Sequence, residues 1–333
     1  MRLSILDQAP ISSNQSAAEA LKESMKLAQA GEALGYTRFW IAEHHDLPGL
    51  ACSAPEVMLG YIGANTNKIR IGSGAVLLPH YKPYKVGEVY NMLATLFPGR
   101  VDVGIGRAPG GSAEATNALS DNFLLQVWNM PNTIQDLLYF LENNIPPEHQ
   151  HAKVTASPVP NIPPIPWLLG TSKKSAILAA ESGLAYAFGQ FMSDQDGGAI
   201  IEQYKNDFKP RKNNDVSQVI VTVSVICAET TKKAEDVALS SLVWGLQRKR
   251  GEGHRGVPSI QEAKNYLENE DKNILGEMKN SMIIGNPQQV KKRIEELQKK
   301  YNADEIMIVT ITHSPEDKIQ SYKLIAEEFL SRQ

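Results

Sequence analysis

Short β-branched and aliphatic runs alternate with longer amphipathic stretches from one end of this chain to the other, and no other feature constrains its fold as tightly. Strands joined by helical crossovers run parallel in one sheet. Eight runs fit strands: residues 3–6, 38–42, 69–76, 101–105, 165–169, 185–188, 219–226 and 305–310. Several are apolar almost throughout, as in strands buried on both faces. Helical periodicity occupies residues 16–34, 55–64, 86–96, 133–141, 174–181, 199–208, 232–246, 287–300 and 315–330, and Gly35 stands as a stop behind the first. Eight strand units within 333 residues predict a single (β/α)8 TIM barrel in preference to an open doubly wound sheet.

Two segments break the alternation. Residues 157–166 hold five prolines and read as an extended connector into the fifth strand. Residues 248–279, between the seventh and eighth strand units, are charged, contain Gly251, Gly253 and Gly256, and are too long for an ordinary loop. Within the one domain spanning residues 1–333, this insertion is expected to act as a lid on the barrel mouth. A solvated excursion without function is the competing reading.

Composition removes several classes of function. With 34 basic against 37 acidic residues the net charge is -3, so nothing draws the chain electrostatically to nucleic acid or to an anionic membrane. No apolar run reaches the ~18 to 20 residues of a membrane span. The first ten residues lack the basic start and apolar centre of a secretory signal, and a cytoplasmic location is expected. Cys52 and Cys227 are far apart and in no CxxC pattern, which argues for a reducing compartment and against a cysteine metal site.

Barrel chemistry collects where strands end on the carboxyl side. There the sequence offers Ala42-Glu43-His44-His45-Asp46, then Gly72-Ser73-Gly74-Ala75 with Leu78-Pro79-His80, then Gly104-Ile105-Gly106-Arg107, then Gly170-Thr171-Ser172-Lys173-Lys174-Ser175. Adjacent histidines on a strand point to opposite sides and no HExxH spacing is present, so no metal is expected. The histidines are either structural or, with an imidazole titrating near neutrality, proton carriers. Arg107 between glycines suits phosphate, with an ion pair to Glu43 as the alternative. Thr171 and Ser172 before a helix start suit an anion, with plain capping as theirs. No Rossmann, P-loop or GxSxG pattern is met.

Taken together, Phe39-Trp40-Ile41-Ala42-Glu43-His44-His45, the run Ile69 to His80 and the run Pro98 to Gly110 resemble the bacterial luciferase-like monooxygenase family. The likeness extends from Leu3-Ser4-Ile5-Leu6-Asp7-Gln8 through Gly170-Thr171-Ser172 to Met282-Ile283-Ile284-Gly285-Asn286-Pro287 and the helix opening at Ser314-Pro315. It is strongest to the single-chain, alkanal-monooxygenase-like branch. The resemblance implies FMN at the carboxyl ends of the strands and oxygenation of a small organic substrate with reduced FMN and dioxygen. It puts the catalytic histidine at His44, a non-proline cis peptide under the flavin ring at Gly74-Ala75, the phosphate arginine at Arg107 and the second phosphate loop at Gly170, Thr171, Ser172 and Ser175. It further implies a separate flavin reductase and a homodimer with helices 55–64 and 86–96 near the contact; His45, turned away from His44 by strand alternation, is placed to reach Glu88 on the partner or in its own chain.

One departure stands out: residues 122–130 contain no second arginine, so Lys173 or Lys174 has to supply that charge, and flavin becomes a candidate for a diffusible substrate. A deazaflavin-dependent oxidoreductase fits the same barrel. A non-catalytic flavin-binding protein keeps Arg107 and Thr171-Ser172 and dispenses with His44, and a sugar-phosphate enzyme would bring a lysine or carboxylate base instead.

Overall fold

Each of the eight predicted runs forms a strand in a computed structural model, which describes residues 1–213, 215–268 and 282–330. In chain order the elements are β1 (Arg2–Asp7), α1 (Ala17–Leu34), β2 (Arg38–Ile41), α2 (Pro55–Ala64), β3 (Arg70–Ser73), β4 (Val76–Leu77), α3 (Pro83–Leu96) and β5 (Val101–Gly106). They continue with α4 (Ala113–Leu119), α5 (Phe123–Trp128), α6 (Met130–Glu142), β6 (Ile165–Gly170), α7 (Lys173–Glu181), β7 (Ala185–Gly189) and α8 (Gly197–Asp207). The last third holds β8 (Val219–Cys227), α9 (Thr231–Lys249), α10 (Ile260–Leu267), β9 (Ile283–Gly285), α11 (Pro287–Tyr301), β10 (Glu305–Val309) and α12 (Pro315–Phe329).

Parallel pairing runs β10-β1-β2-β3-β5-β6-β7-β8, and β8 pairs with β10 through Ile220 to Glu305, which closes a barrel of eight staves. Local sequence fixes the helix ends. Ser16 and Glu19 form a reciprocal capping box at the start of α1, and Gly35 ends it at φ 85°, a backbone region that costs glycine nothing. Asn286 and Gln289 do the same for α11, behind Pro287 at its first turn.

Strand alternation sorts the side chains into two cores. Leu3, Ile5, Phe39, Ile41, Val101, Val103, Val219, Val221, Ile306 and Ile308 point outward and are sealed by the helices. Leu6, Trp40, Ala42, Trp167, Ala187, Ile220, Met307 and Val309 point inward and fill the middle of the barrel. Beneath them, at the amino ends of the strands, lies an ionic floor. Arg38 donates to Asp102 at 2.7 Å and to Glu305 at 2.8 Å, all with side chains no more than 4% exposed. Arg70 donates to Asp102, as does the Trp40 indole at 3.0 Å, Ser4 bonds Glu305, and the Arg38 guanidinium lies 4.8 Å over the Trp167 ring. A filled floor and a filled middle leave open space only at the carboxyl ends.

Several details depart from the sequence reading. The run 69–76 is two strands, because Gly74 and Ala75, joined by a cis peptide, lie between β3 and β4. Helices α4, α5 and α10 and the short strand β9 were not anticipated; α5 buries no residue, and α10 is a two-turn helix that packs Ile260 on the barrel's outer core from within the stretch read as an insertion. Residues 248 and 249 of the expected insertion belong to the end of α9. Its next stretch is tied to the barrel mouth: Val257, fully buried, exchanges backbone hydrogen bonds with Ile11 and Ser13. The remainder of that insertion, from residue 269 onward, lies outside the described residues. No helix among the described residues is long and apolar enough to cross a membrane.

Arg38→Ala leaves Asp102 and Glu305 buried without their counter-charge, and should lower unfolding free energy by about 3 to 5 kcal/mol. Urea denaturation measures this; a loss below about 1 kcal/mol would show the floor to be dispensable.

Candidate functional site

The open end of the barrel holds a cavity of about 320 Å³, within the range of small-molecule and cofactor pockets. Its base is the top of the inward core, Leu6, Ala42, Leu169, Ala187 and Thr222, and its rim carries Glu43, His44, Gly74, Ala75, Arg107, Gly170, Thr171, Ser172 and Ser175. All eight residues expected from the sequence therefore meet in one place. Gln8, Phe191 and Met192 join them without having been foreseen. They follow β1 and β7, and the residues directly after these strands, Gln8-Ala9-Pro10 and Gln190-Phe191-Met192, carry no charge.

His44 follows β2 on a loop whose course is fixed by its own N–H donating to the Cys52 carbonyl at 2.9 Å. Its Nδ1 is buried and has no hydrogen-bond partner among the described residues. Burial, then the nearby positive charge of Arg248 and then His45 push its pKa down to about 4. The expectation of an imidazole titrating near neutrality is thereby corrected: His44 is neutral at pH 7, a proton acceptor and hydrogen-bonding group rather than a standing acid.

His45 turns away from the cavity, and the Glu88 of its own chain, one of the two partners expected for it, is not the one it meets. Its Nε2 pairs with Glu43 Oε1 at 2.7 Å, while Glu88 pairs with Lys85 at 3.5 Å. Glu43 is fully engaged, since it also accepts from the Leu77 amide at 3.1 Å and the Tyr81 hydroxyl at 2.7 Å. Burial, reinforced by this carboxylate, pushes the Tyr81 phenol well above its usual range. Glu43 thus braces the loops after β2 and β4 against each other.

Arg107 follows β5, and its Nη2 donates to Ser172 Oγ at 3.3 Å. It has no ion pair among the described residues, and Glu43, the alternative partner, is occupied elsewhere. Ser172 caps α7, and Ser175 completes the capping box. The Ser175 hydroxyl donates to the Ser172 carbonyl at 2.7 Å and lies 3.0 Å from the Tyr186 hydroxyl, so it holds the loop in shape. Burial, partly offset by Ser175, raises that phenol to about 12. A Cβ at Gly170 would run into the Ser175 side chain, and one at Gly74 into Leu6 Cδ1, so both positions need glycine to keep the cavity walls close. Lys173 and Lys174, expected to supplement the phosphate charge, are exposed and do not line this cavity. An unpaired guanidinium, a helix start and glycine walls suit an anionic, flat ligand. Among the described residues no cluster of potential metal ligands occurs.

The family model for luciferase-like monooxygenases matches residues 1–302. The chain belongs to that family. An N-acetyl-S-alkylcysteine monooxygenase of Bacillus subtilis (strain 168) is 34% identical to this luciferase-like chain over 334 residues, 99% of each protein. The solved structure of apo-MsnO8 superimposes with a TM-score of 0.90 at 32% identity, covering 98% of this chain and 97% of its own. The oxygenating constituent of the 3,6-diketocamphane monooxygenase of Pseudomonas putida, solved in complex with FMN, shares the fold with a TM-score of 0.72 at 18% identity, over 98% of this chain and 97% of its own.

In histidine-selective NMR titration the His44 imidazole should stay neutral down to about pH 4. Because the unfolded chain takes up this proton near 6.5, the stability tied to neutral His44 is fully present above that pH and is lost as pH falls toward 4. His44→Gln should flatten that part of the stability–pH curve; a midpoint above about 6 contradicts the buried, Arg248-facing environment.

Proposed function

We propose that the protein is a flavin-dependent monooxygenase acting on paired donors, which takes reduced FMN and dioxygen and oxygenates a small organic substrate. The observation that carries this reading is Arg107: a guanidinium without a carboxylate partner among the described residues, bonded to the hydroxyl that caps α7, at the rim of a cavity that also holds His44. Arg107, Thr171, Ser172 and the free amides opening α7 would hold the phosphate, and Gly74, Ala75 and Gly170 leave room for a flat ring. When bound, reduced flavin supplies the two electrons that let dioxygen deliver one oxygen atom to the substrate and the other to water. His44, neutral and with an unpartnered Nδ1, accepts a proton or a hydrogen bond beside the reacting centre. The inward core of Trp40, Trp167 and Met307 excludes water from below.

Reduced FMN would come from a separate flavin reductase, since the cavity offers only one arginine to the phosphate and flavin then exchanges as a diffusible substrate. The name of the Bacillus relative makes thioethers the first substrates to try. Val57 and Tyr61 on α2 and Met92 and Leu96 on α3 are exposed apolar side chains, which supports a homodimer joined through these two helices.

His44→Ala should keep FMN affinity within a few-fold and lower product formation from thioethers and aldehydes by roughly 10² to 10⁴. Full activity in that variant would remove His44 from the chemistry. In sedimentation at about micromolar concentration the wild type should be dimeric and Val57→Arg monomeric; a monomeric wild type contradicts the dimer.

A further inference from the structure

A second cleft of about 500 Å³, between the loop that follows His44 and the end of α9, is lined by Leu47, Leu50, Trp244, Arg248, Lys249 and His254. Its apolar wall is anchored in the fold. Trp244 and Leu50 pack with fully buried Val257, and the Trp244 indole donates to the Gly253 carbonyl at 3.3 Å. The ionisable side chains that line it are Arg248, Lys249 and His254, and among the described residues no aspartate or glutamate does so. The acids next to it in sequence, Asp46 and Glu252, accept hydrogen bonds from Ser112 at 2.6 Å and from Tyr266 at 2.9 Å.

Arg248 is the unusual member. Its guanidinium lies 4.9 Å over the Trp244 ring and makes no ion pair among the described residues. Burial draws its pKa down with no carboxylate to offset it. The same charge is near enough to His44 to depress the imidazole, so the cleft and the catalytic end of the cavity share one electrostatic neighbourhood. A guanidinium that is exposed to an incoming ligand, stacked on an aromatic face and without an ion pair among the described residues is an arrangement that a planar anion completes, because stacking preorganises the fork and leaves its edge for two coplanar oxygens.

We propose that this cleft is the substrate's recognition site and that the substrate is an organic acid, its carboxylate paired with Arg248 and its apolar chain lying along Trp244 and Leu50. This rests on the monooxygenase reading for the chemistry and adds the substrate class, with Arg248 as the residue that sets it. The bound carboxylate also neutralises a charge beside His44, so occupancy of the cleft raises the affinity of that imidazole for a proton.

Octanoate and octanamide, matched in length and differing in charge, test the proposal by isothermal titration calorimetry on the full-length protein without flavin. Octanoate should bind about tenfold or more tightly than octanamide, the difference expected of a charge-assisted pair. Arg248→Gln should bring octanoate to the amide's level and leave octanamide and FMN affinities within about twofold, while Arg248→Lys keeps part of the preference. Unaltered thermal unfolding of both variants establishes that they are folded. In wild type, saturating octanoate should raise the His44 titration midpoint. Equal binding of acid and amide, survival of the preference in Arg248→Gln, or no binding of either ligand to folded wild type overturns the proposal. Loss of FMN binding with an intact, Arg248-dependent preference for the acid would count against the flavin reading alone.

Discussion

Everything above it in the barrel rests on the Arg38 guanidinium, buried between Asp102 and Glu305 and lying over the Trp167 ring. These charges come from β2, β5 and β10, so one cluster ties together staves that are distant in sequence. Buried ion pairs add little net stability over apolar packing, yet they penalise any register that separates the partners. Gly72, whose Cβ would press on the Trp40 indole at 2.7 Å and on Asp102 Cβ at 2.8 Å, keeps β3 close enough for that cluster to form. With the floor ionic and the middle aromatic, the space left inside the barrel among the described residues is at the carboxyl ends of the strands.

The barrel was legible in the sequence because its signal is local and repeated. Buried parallel strands are short apolar runs, and the helices over them carry an apolar stripe. The candidate site was legible in part for the same reason, since each of its residues stands directly after a strand. What the sequence could not convey depends on encounters between distant loops. Burial and then Arg248, at the end of α9, hold down the titration of His44 on the loop after β2, and nothing near either residue in the chain announces the other. Glu43 is claimed by Tyr81, Leu77 and His45, which is why neither Arg107 nor Glu88 obtains the partner that chain position suggested. Helix α5 escaped notice because its apolar residues, Leu124 and Trp128 among them, face outward.

The two cationic groups near the cavity divide their work by environment. Arg107 has a capping hydroxyl beside it and a helix start opposite, a setting for a phosphate that is never fully desolvated. Arg248 is exposed and lies over an aromatic face, the setting proposed for a single pairing with a smaller anion. His44 remains neutral because burial first, and then the charge of Arg248, disfavour its protonated form.

The account's central claim is that the cavity is a flavin seat whose affinity depends on the phosphate contact at Arg107. Equilibrium binding of FMN and of riboflavin to the wild type and to Arg107→Ala tests it most directly. The account predicts that the substitution weakens FMN by about tenfold or more and leaves riboflavin nearly unchanged, since a charge-assisted contact is lost for one ligand only. Equal losses for the two ligands would contradict it, and would return Arg107 to the role of a side chain that merely holds the loop.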